Sequence, residues 1–451
     1  MTNPPPAARF STAMSPAVMS LVGQPESRRP APPSPSPGSP TAAEPPQKLS
    51  FPLPAEEPTQ AGPQGLRYDF NHGCRVALPE RTGTWRVRLT DLDTSNILYE
   101  TDIGAGRVAS AKHYFLRIRI EVRDNSGTVV LAHDYDARDR EVIIQFPVGT
   151  LGDIMGWFPY AVKFQRAHAC RLSVAMAAWL IPLFRDAYPE ITFLTHEEVK
   201  PERYYATYNM GLFFDDEACI NQPCDFRLVG LHRTAGYILG VDPTEEPARI
   251  TIPDDRRPIE EPYVCIAVQS TTQAKYWNNP QGWYEVVRFL KEAGYRVVCI
   301  DRSPTNGGGL VWNHIPNGVE DETGDHTLAE RARWLKHAAF FVGLSSGLSW
   351  LAWSVGTPVV MISGFTHPVN EFATPYRVVN YHACNGCWND VRLRFDHKDF
   401  MWCPRHKDTP RQFECTRLIT AAQVKETIRR VPGFGDTRAK VPPTGPDVRL
   451  A

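Results

Sequence analysis

The stretch "AAFFVGLSSGLSWLAWSVGTPVVMISGF", residues 338–365, carries no charged side chain and is long enough to cross a lipid bilayer. Two polar breaks, at 345–347 and 356–358, divide it into an apolar run of strand length, a short helix and a second strand-like run. Strands buried inside a parallel α/β sheet are hydrophobic on both faces, which accounts for the absence of charge. The stretch therefore predicts the core of a parallel α/β sheet and not a membrane span.

The same alternation of strands and helices recurs on the N-terminal side of this stretch. Residues 140–169 contain an apolar strand, a glycine-rich loop and a run of helix length, and residues 263–301 contain a strand, a helix and a second strand. This order is typical of βαβ units in a doubly wound sheet. We therefore predict an α/β fold with two Rossmann-like domains, residues 139–255 and 256–380, with the ligand cleft between them.

The rest of the chain differs in composition from these two domains. Residues 1–64 hold 17 of the 41 prolines, and this composition predicts a disordered tail. Residues 65–138 alternate polar and apolar positions between turn signals, so we expect a small antiparallel β domain there. Residues 381–418 carry four cysteines and are expected to form a metal-bound finger, and residues 419–451 a C-terminal helix and tail.

The overall charge and the cysteine content limit the classes of partner. A formal net charge of −1 gives no reason to expect nucleic acid or an anionic membrane as a partner. No basic region followed by an apolar one resembles a secretory signal, so a cytoplasmic protein is expected. Without such a signal, ten cysteines favour free thiols or metal ligands over a disulfide framework.

Three loops at the carboxyl ends of predicted strands carry candidate functional residues. In the loop 147–153, Asp153 stands between a glycine-rich turn and a helix, where its carboxylate could accept a proton from an attacking hydroxyl. It could equally be only a first-turn residue that stabilises the helix. Lys275 follows another strand, and its ammonium could reach a phosphate in the cleft or could be a solvated surface group. The helix that begins near Gly347 presents free amides suited to an anion, although an ordinary turn is the alternative.

The late cysteine segment has the spacing of a metal site. Four thiolates complete a tetrahedral shell and leave no position for substrate, which is typical of a structural site. Zinc and a single iron fit such a set equally well on ligand type, and His382 or His406 could replace one thiolate. The predicted ligands are Cys384, Cys387, Cys403 and Cys415.

Taken together, these loops resemble those of the ADP-heptose heptosyltransferases, which are inverting glycosyltransferases of the GT-B fold. The lipopolysaccharide-core enzymes of that family usually have Asp-Ser/Thr-Gly-Leu-x-His at the third loop, whereas residues 345–350 read Ser-Ser-Gly-Leu-Ser-Trp. They also have an Asp-Pro where this chain has His367-Pro368. The leading β region, the run "SGLSWLAW" and the four-cysteine segment are instead similar to the bacterial autotransporter heptosyltransferase family.

This resemblance implies a specific activity, with members transferring heptose from ADP-heptose to serine hydroxyls of autotransporter adhesins before export. It implies Asp153 as the general base and Lys275 as the cation that neutralises the departing diphosphate, without a divalent metal. It also implies one structural cysteine-bound iron per chain, in preference to zinc, and a large homo-oligomer, expected to be a dodecamer. The donor-binding residues that it implies are Ser270, Thr271, Lys275, Ser345, Ser346, Gly347 and Leu348.

Two alternative functions remain open at the level of sequence. One is a heptosyltransferase that acts on the lipopolysaccharide core, which would transfer to a lipid-linked acceptor. The other is a non-catalytic binding module in which the metal finger is joined to a silent α/β scaffold. The finger is not strongly basic, since acidic side chains balance its lysines and arginines, so nucleic-acid binding by the finger is not expected.

Overall fold

The computed structural model describes residues 51–147 and 149–436. The strands of its N-terminal half are β1 (Gln60–Ala61), β2 (Arg67–Asn71), β3 (Arg75–Leu78), β4 (Trp85–Asp91), β5 (Ile97–Ile103), β6 (Gly106–Ala109), β7 (Ile118–Arg123), β8 (Val129–Asp134), β9 (Glu141–Gln145), β10 (Arg171–Ala175), β11 (Thr192–Leu194) and β12 (Ala206–Asn209). The helices of this half are α1 (Leu151–His168), α2 (Ile181–Phe184), α3 (Phe226–Val229) and α4 (Arg233–Leu239).

The C-terminal half contains a second series of strands and helices. Its strands are β13 (Tyr263–Ile266), β14 (Arg296–Cys299), β15 (Thr305–Asn306), β16 (Asn313–His314), β17 (Glu320–Asp321), β18 (Phe341–Leu344), β19 (Val359–Ile362) and β20 (Arg377–Val378). Its helices are α5 (Gly282–Glu292), α6 (Leu328–His337), α7 (Gly347–Ser354), α8 (Glu414–Arg417) and α9 (Ala421–Arg429).

The first sheet combines strands from the two predicted N-terminal regions. Its order is β11-β10-β9-β12-β2-β3-β6, with β1 paired to β2. The strands from β11 to β2 run parallel, and β3 and β6 continue antiparallel. The boundary predicted at residue 138 therefore does not interrupt this sheet. A local alternating pattern could not indicate that β2 pairs with β12, which lies more than a hundred residues further along the chain.

The remaining early strands form the antiparallel sheet that the sequence predicted. Its order is β5-β4-β7-β8, and every pair is antiparallel. Alternate residues of β4 and β7, including Trp85 and Ile120, are buried, while the residues between them carry charge. Arginine–carboxylate pairs such as Arg86–Asp102 join neighbouring strands on the polar face. The alternation of buried and charged residues is thus the period-2 pattern of a half-buried sheet.

The second sheet confirms the prediction drawn from residues 338–365. Its order is β17-β14-β13-β18-β19-β20, with every pair parallel. The uncharged stretch forms β18, α7 and β19, and all residues of both strands are buried. Among the described residues, no helix combines the length and apolar character that a membrane span requires.

The predicted disordered tail lies partly outside the described residues. Residues 1–50 lie outside the described residues. Residues 51–64 are ordered, so the prediction that the disordered tail extends to residue 64 is wrong. The Thr59 amide donates to Asp69 Oδ2 over 3.0 Å, and the Thr59 hydroxyl donates to the Tyr204 carbonyl over 2.7 Å. Pairing of β1 with β2 extends the sheet further. Proline content alone could not reveal these contacts, because they depend on residues distant in sequence.

Candidate active site

The first turn of α1 places Asp153 at the mouth of the cleft between the two sheets. Thr150 caps this helix, and its amide and hydroxyl donate to Asp153 Oδ2 over 3.3 and 2.9 Å. Asp153 Oδ1 has no hydrogen-bond partner among residues 51–147 and 149–436. The capping role and the functional role therefore occur together, because one carboxylate oxygen stabilises the helix while the other remains available in the cleft.

Lys275 lines the same cleft and lies in the loop that follows β13, so the second half of the chain supplies it. Its Nζ atom is 5.8 Å from the ring centroids of Phe365 and Trp388. These distances are within the range of cation–π attraction. Ser270 and Thr271 precede Lys275 in the same loop, and Asn306 Nδ2 donates to the Ser270 carbonyl over 3.4 Å.

The helix starts of α1 and α7 meet at two glycines. A Cβ atom at Gly347 would lie 2.8 Å from Leu151 Cβ, and one at Gly152 would lie 3.1 Å from Trp350 Cδ1. Only residues without a side chain permit this approach. The contact brings the glycine-rich loop of the first sheet against the Ser-Gly-Leu loop of the second, so the free amides of both helix starts face one space.

The loops enclose a cavity of about 1110 Å³ that both halves of the chain line. This volume is sufficient for a nucleotide sugar and part of an acceptor. The structure brings all the predicted catalytic and donor-binding residues together here, although their roles remain predictions. Those lining the cavity are Asp153, Ser270, Thr271, Lys275, Ser345, Ser346, Gly347 and Leu348.

Charge is distributed unequally around this cavity. Burial raises the pKa of Asp153 above its ordinary value, and the Lys275 ammonium and the bonds from Thr150 only partly oppose this. Burial likewise lowers the pKa of Lys275, while Asp153 and Glu371 favour its charged form. Lys275 thus has two carboxylates within electrostatic reach, in a site partly shielded from water where each charge acts more strongly than it would in bulk solvent.

Glu371 is a cavity residue that the sequence analysis did not single out. It is buried, accepts from the Ser345 hydroxyl and from Asn370 Nδ2 over 3.1 Å, and pairs with Arg377 Nη1 over 2.9 Å. It therefore holds the Ser-Gly-Leu loop beside Lys275. His367-Pro368, at which this chain differs from the lipopolysaccharide-core enzymes, lies a few residues before Glu371 in the sequence. Nothing in the local sequence, however, distinguishes Glu371 from a surface acid.

Asp301 also lines the cavity and was also missed. It follows β14 and accepts from the amides of Val268 and Gln269 over 2.6 and 3.3 Å. Burial raises the pKa of Asp301 to about 6. The rule that selected Asp153 and Lys275, a polar residue at the carboxyl end of a parallel strand, would have found it.

The four cysteines lie outside the cavity lining of the described chain, in a segment packed against its edge. Cys387 begins a short 3-10 turn, Cys415 belongs to α8, and Cys415 lies within electrostatic reach of the thiols of Cys384, Cys387 and Cys403. The segment has a small aromatic core that includes Trp388. Its limited regular structure agrees with the expectation that cross-linking by a metal stabilises it.

A second donor set overlaps the four thiols. Cys384 Sγ, a ring nitrogen of His406 and a carboxylate oxygen of Glu414 all lie within 4.8 Å of one another. Both Glu414 oxygens, however, accept from the Arg411 guanidinium over 2.7 and 2.8 Å, so this carboxylate already has a partner. Four thiols are the ligand set that tetrahedral iron or zinc prefers, but in the described chain the donor atoms that converge within 4.8 Å are those of Cys384, His406 and Glu414, so the four-cysteine set stays a prediction.

Comparison with known proteins places the chain in a family. The model described as "Glycosyltransferase TibC, N-terminal domain" matches residues 62–126, and that described as "Glycosyltransferase family 9 (heptosyltransferase)" matches residues 241–393. The autotransporter heptosyltransferase BAHTCr of Citrobacter rodentium is 57% identical over 382 residues, or 84% of this chain and 92% of that protein. The chain belongs to the autotransporter heptosyltransferase family. The prediction of a glycosyltransferase of this family is thereby confirmed.

Other members of the autotransporter heptosyltransferase family differ in activity. TibC of Escherichia coli is 56% identical over 84% of this chain and 93% of its own length. BimC of Burkholderia thailandensis, named an inactive autotransporter heptosyltransferase, is 51% identical over 90% of this chain and 94% of its own length. The family therefore includes one protein named as a heptosyltransferase and a similar protein named as inactive.

A solved structure of this family confirms the predicted fold. The chain superposes with a TM-score of 0.80 on the dodecameric, iron-containing heptosyltransferase TibC in complex with ADP-D-β-D-heptose. The two sequences are 55% identical, and the match covers 84% of this chain and 98% of TibC. The two-sheet GT-B architecture and the preceding antiparallel strands agree with that assignment.

Proposed function

We propose that this protein is an inverting glycosyltransferase that moves heptose from ADP-heptose to serine hydroxyls of an autotransporter adhesin passenger domain. The observation that carries the proposal is that Asp153, at the start of α1, and Lys275, in the loop after β13, line one cavity. An inverting transfer needs a base at the acceptor and a cation at the leaving group, and these two residues supply both.

The proposed reaction uses groups of this chain alone. The acceptor oxygen attacks the anomeric carbon while Asp153 takes its proton through the free Oδ1. The bond from the anomeric carbon to the diphosphate breaks on the opposite face, and the electron pair leaves with ADP. Lys275 and the amides around Ser346, Gly347 and Leu348 stabilise the charge that develops on the diphosphate.

Burial of Asp153 and Lys275 favours this assignment. A carboxylate with a raised pKa is a stronger base than one in water, and the nearby Lys275 ammonium partly opposes the rise by favouring the ionised form of Asp153. Glu371 supports the other side by holding Ser345 and favouring the charged form of Lys275. Ser270 and Thr271 are further candidates for phosphate contacts, since they line the cavity in the loop of Lys275.

The metal and the assembly are proposed on the basis of TibC. The four thiols would hold one iron ion per chain, and the ion would fix the cysteine segment without entering the reaction. TibC is described as iron-containing and dodecameric, so we assign the same metal and a large homo-oligomer to this chain. A cytoplasmic location follows, because the acceptor would be modified before export.

The decisive experiment measures transfer with ADP-heptose and a purified serine-rich passenger fragment. Wild-type protein should add heptose to serine, and Asp153→Asn should lower the rate about 1,000-fold or more by removing the base. Asp325→Asn is a matched control, because Asp325 is an exposed acid that lines the same cavity. Transfer only to a lipid-linked acceptor would reject the proposed substrate class, and absence of any transfer would group the chain with inactive BimC.

A further inference from the structure

A second cavity, of about 570 Å³, is lined by residues of the segment 368–381, which follows β19 and includes β20. This volume is within the range of small-molecule sites. The Phe372 ring stacks on the Trp353 ring at 4.8 Å with an interplanar angle of 6°. The Thr374 hydroxyl donates to the Val359 carbonyl over 2.7 Å. These contacts fix the wall of the second cavity, so the site is formed before any ligand binds.

Arg377 gives the second cavity its charge, because the described part of its lining holds no carboxylate. The Arg377 side chain is 9% exposed, and its Nη1 donates to Glu371 Oε2 over 2.9 Å. Its Nη2 is buried and has no hydrogen-bond partner in the part of the chain that the structure describes. A buried donor without a partner costs free energy, and a guanidinium pairs most strongly with a planar anion. The unpaired N–H groups of Arg377 therefore favour an anionic ligand.

The rest of the lining favours an apolar ring next to that anion. Pro368, Phe372 and Pro375 contribute apolar surface to the second cavity. Tyr381 lines it as well and is 64% exposed, so its ring is available to pack against a flat ligand. The second cavity thus suits a small aromatic acid, whose carboxylate pairs with Arg377 and whose ring packs against Tyr381.

One ion pair joins the second cavity to the cavity that holds the candidate active site. Glu371, the partner of Arg377, lines the same cavity as Asp153 and Lys275. Glu371 also accepts from the Ser345 hydroxyl of the Ser-Gly-Leu loop. Its side chain is only 2% exposed, so Arg377 and not water balances its charge. A ligand that pairs with Arg377 therefore changes the charge balance at Glu371.

We propose that the second cavity is a regulatory site for a small aromatic acid, which weakens donor binding through the pair of Arg377 and Glu371. The effect rests on the proposed function, in which the diphosphate of ADP-heptose occupies the cavity that Glu371 lines. When Arg377 is paired with the acid, the Glu371 carboxylate is less neutralised and repels that diphosphate more strongly. The donor must in turn weaken binding of the acid by the same factor.

The test uses benzoate as the probe and benzamide as a neutral molecule of similar shape. Saturation-transfer NMR measures binding of each probe to the full-length protein, and isothermal titration calorimetry measures binding of ADP-heptose. Benzoate should bind and benzamide should not. Saturating benzoate should raise the Kd of ADP-heptose about fivefold and no further. A Kd that continues to rise with benzoate would show direct competition in the donor cavity and would overturn the inference.

Two variants test where benzoate binds. Tyr381→Ala should weaken benzoate binding about fivefold, because the ring that packs against the probe is lost. Arg377→Gln keeps an N–H donor for Glu371 but lacks the charge, so it should abolish benzoate binding and itself weaken ADP-heptose binding. Tyr284→Ala is the matched control, since Tyr284 is 52% exposed on α5 and belongs to neither described cavity lining. It should leave both affinities unchanged.

The outcomes that would overturn the inference differ from those that affect the proposed function. Absence of benzoate binding, or binding that Tyr381→Ala and Arg377→Gln leave intact, would overturn the site. Benzoate binding that leaves the Kd of ADP-heptose unchanged would overturn the regulation. In each of these cases wild-type protein still binds ADP-heptose, so the proposed function is intact. Wild-type protein that does not bind ADP-heptose would overturn the proposed function and the regulation, whereas benzoate binding would still test the site.

Discussion

Lys275 Nζ lies 5.8 Å from the centre of the Trp388 ring, and Trp388 directly follows Cys387. The residue proposed to hold the diphosphate thus rests against the segment proposed to hold the metal. Trp388 is itself fixed, because its Nε1 donates to Asn370 Oδ1 over 2.9 Å next to Glu371. The cysteine segment therefore packs against Lys275 from outside the cavity, and none of its described residues belongs to the cavity lining.

The contact with Lys275 predicts a specific effect of Trp388→Leu. Loss of the indole ring removes a cation–π contact of about 1 kcal/mol, so the KM for ADP-heptose should rise roughly fivefold. Trp402→Leu is the control, because Trp402 packs against Phe365 in the same cluster, is equally buried and makes no such contact with Lys275. Steady-state kinetics and thermal unfolding of both variants test the prediction. Equal KM values for Trp388→Leu and Trp402→Leu, at an equal loss of stability, would contradict the prediction.

The metal should be required for the stability of the cysteine segment. Cys403→Ser should lose bound iron and lower the free energy of unfolding by roughly 4 kcal/mol, because little regular structure holds this segment. Elemental analysis and thermal unfolding measure both effects. Cys219→Ser is the matched control, since Cys219 is also half-buried but lies far from the segment in sequence. Iron retained by Cys403→Ser and lost by His406→Ala would favour the set of Cys384, His406 and Glu414.

Much of the fold and part of the site could be predicted because the relevant signals are local. The breaks within residues 338–365 set the limits of β18, α7 and β19. The end of each predicted strand also indicated where a loop with candidate functional residues begins. Asp153 and Lys275 could be selected individually, since parallel strands place their carboxyl ends at one edge. Their presence in the lining of one cavity then follows from the doubly wound topology.

The contacts that the sequence analysis missed depend on residues distant in sequence. Glu371 holds Ser345 across 26 residues, and Trp388 contacts Lys275 across more than a hundred residues. Neither residue lies at the end of a predicted strand, so neither could be singled out by that rule. The joining of β2 to β12 was missed for the same reason, because register between distant strands is not encoded in a local alternation.

The pH range over which transfer is fast should be narrower than the range that an ordinary aspartate and an ordinary lysine would give. The base must be ionised, so kcat/KM should rise with pH through a midpoint above the ordinary 3.8 of an aspartate. The cation must be protonated, so kcat/KM should fall through a midpoint below the ordinary 10.5 of a lysine. Affinity for ADP should show only the second change, because ADP binding needs Lys275 but not Asp153. An acid limb in ADP binding would contradict this assignment.

Thr150→Val should alter both the stability of α1 and the acid limb of the rate profile. Its hydroxyl donates to Asp153 Oδ2 over 2.9 Å, and this bond favours the ionised form. Removing it should cost roughly 1 kcal/mol of stability and move the acid midpoint of kcat/KM upward by about one pH unit. Thr420→Val is the control, because Thr420 forms a similar capping box with Gln423 at α9. Thr420→Val should lose similar stability and leave the pH profile unchanged. An equal shift of the acid midpoint in both variants would show that Asp153 does not determine this midpoint.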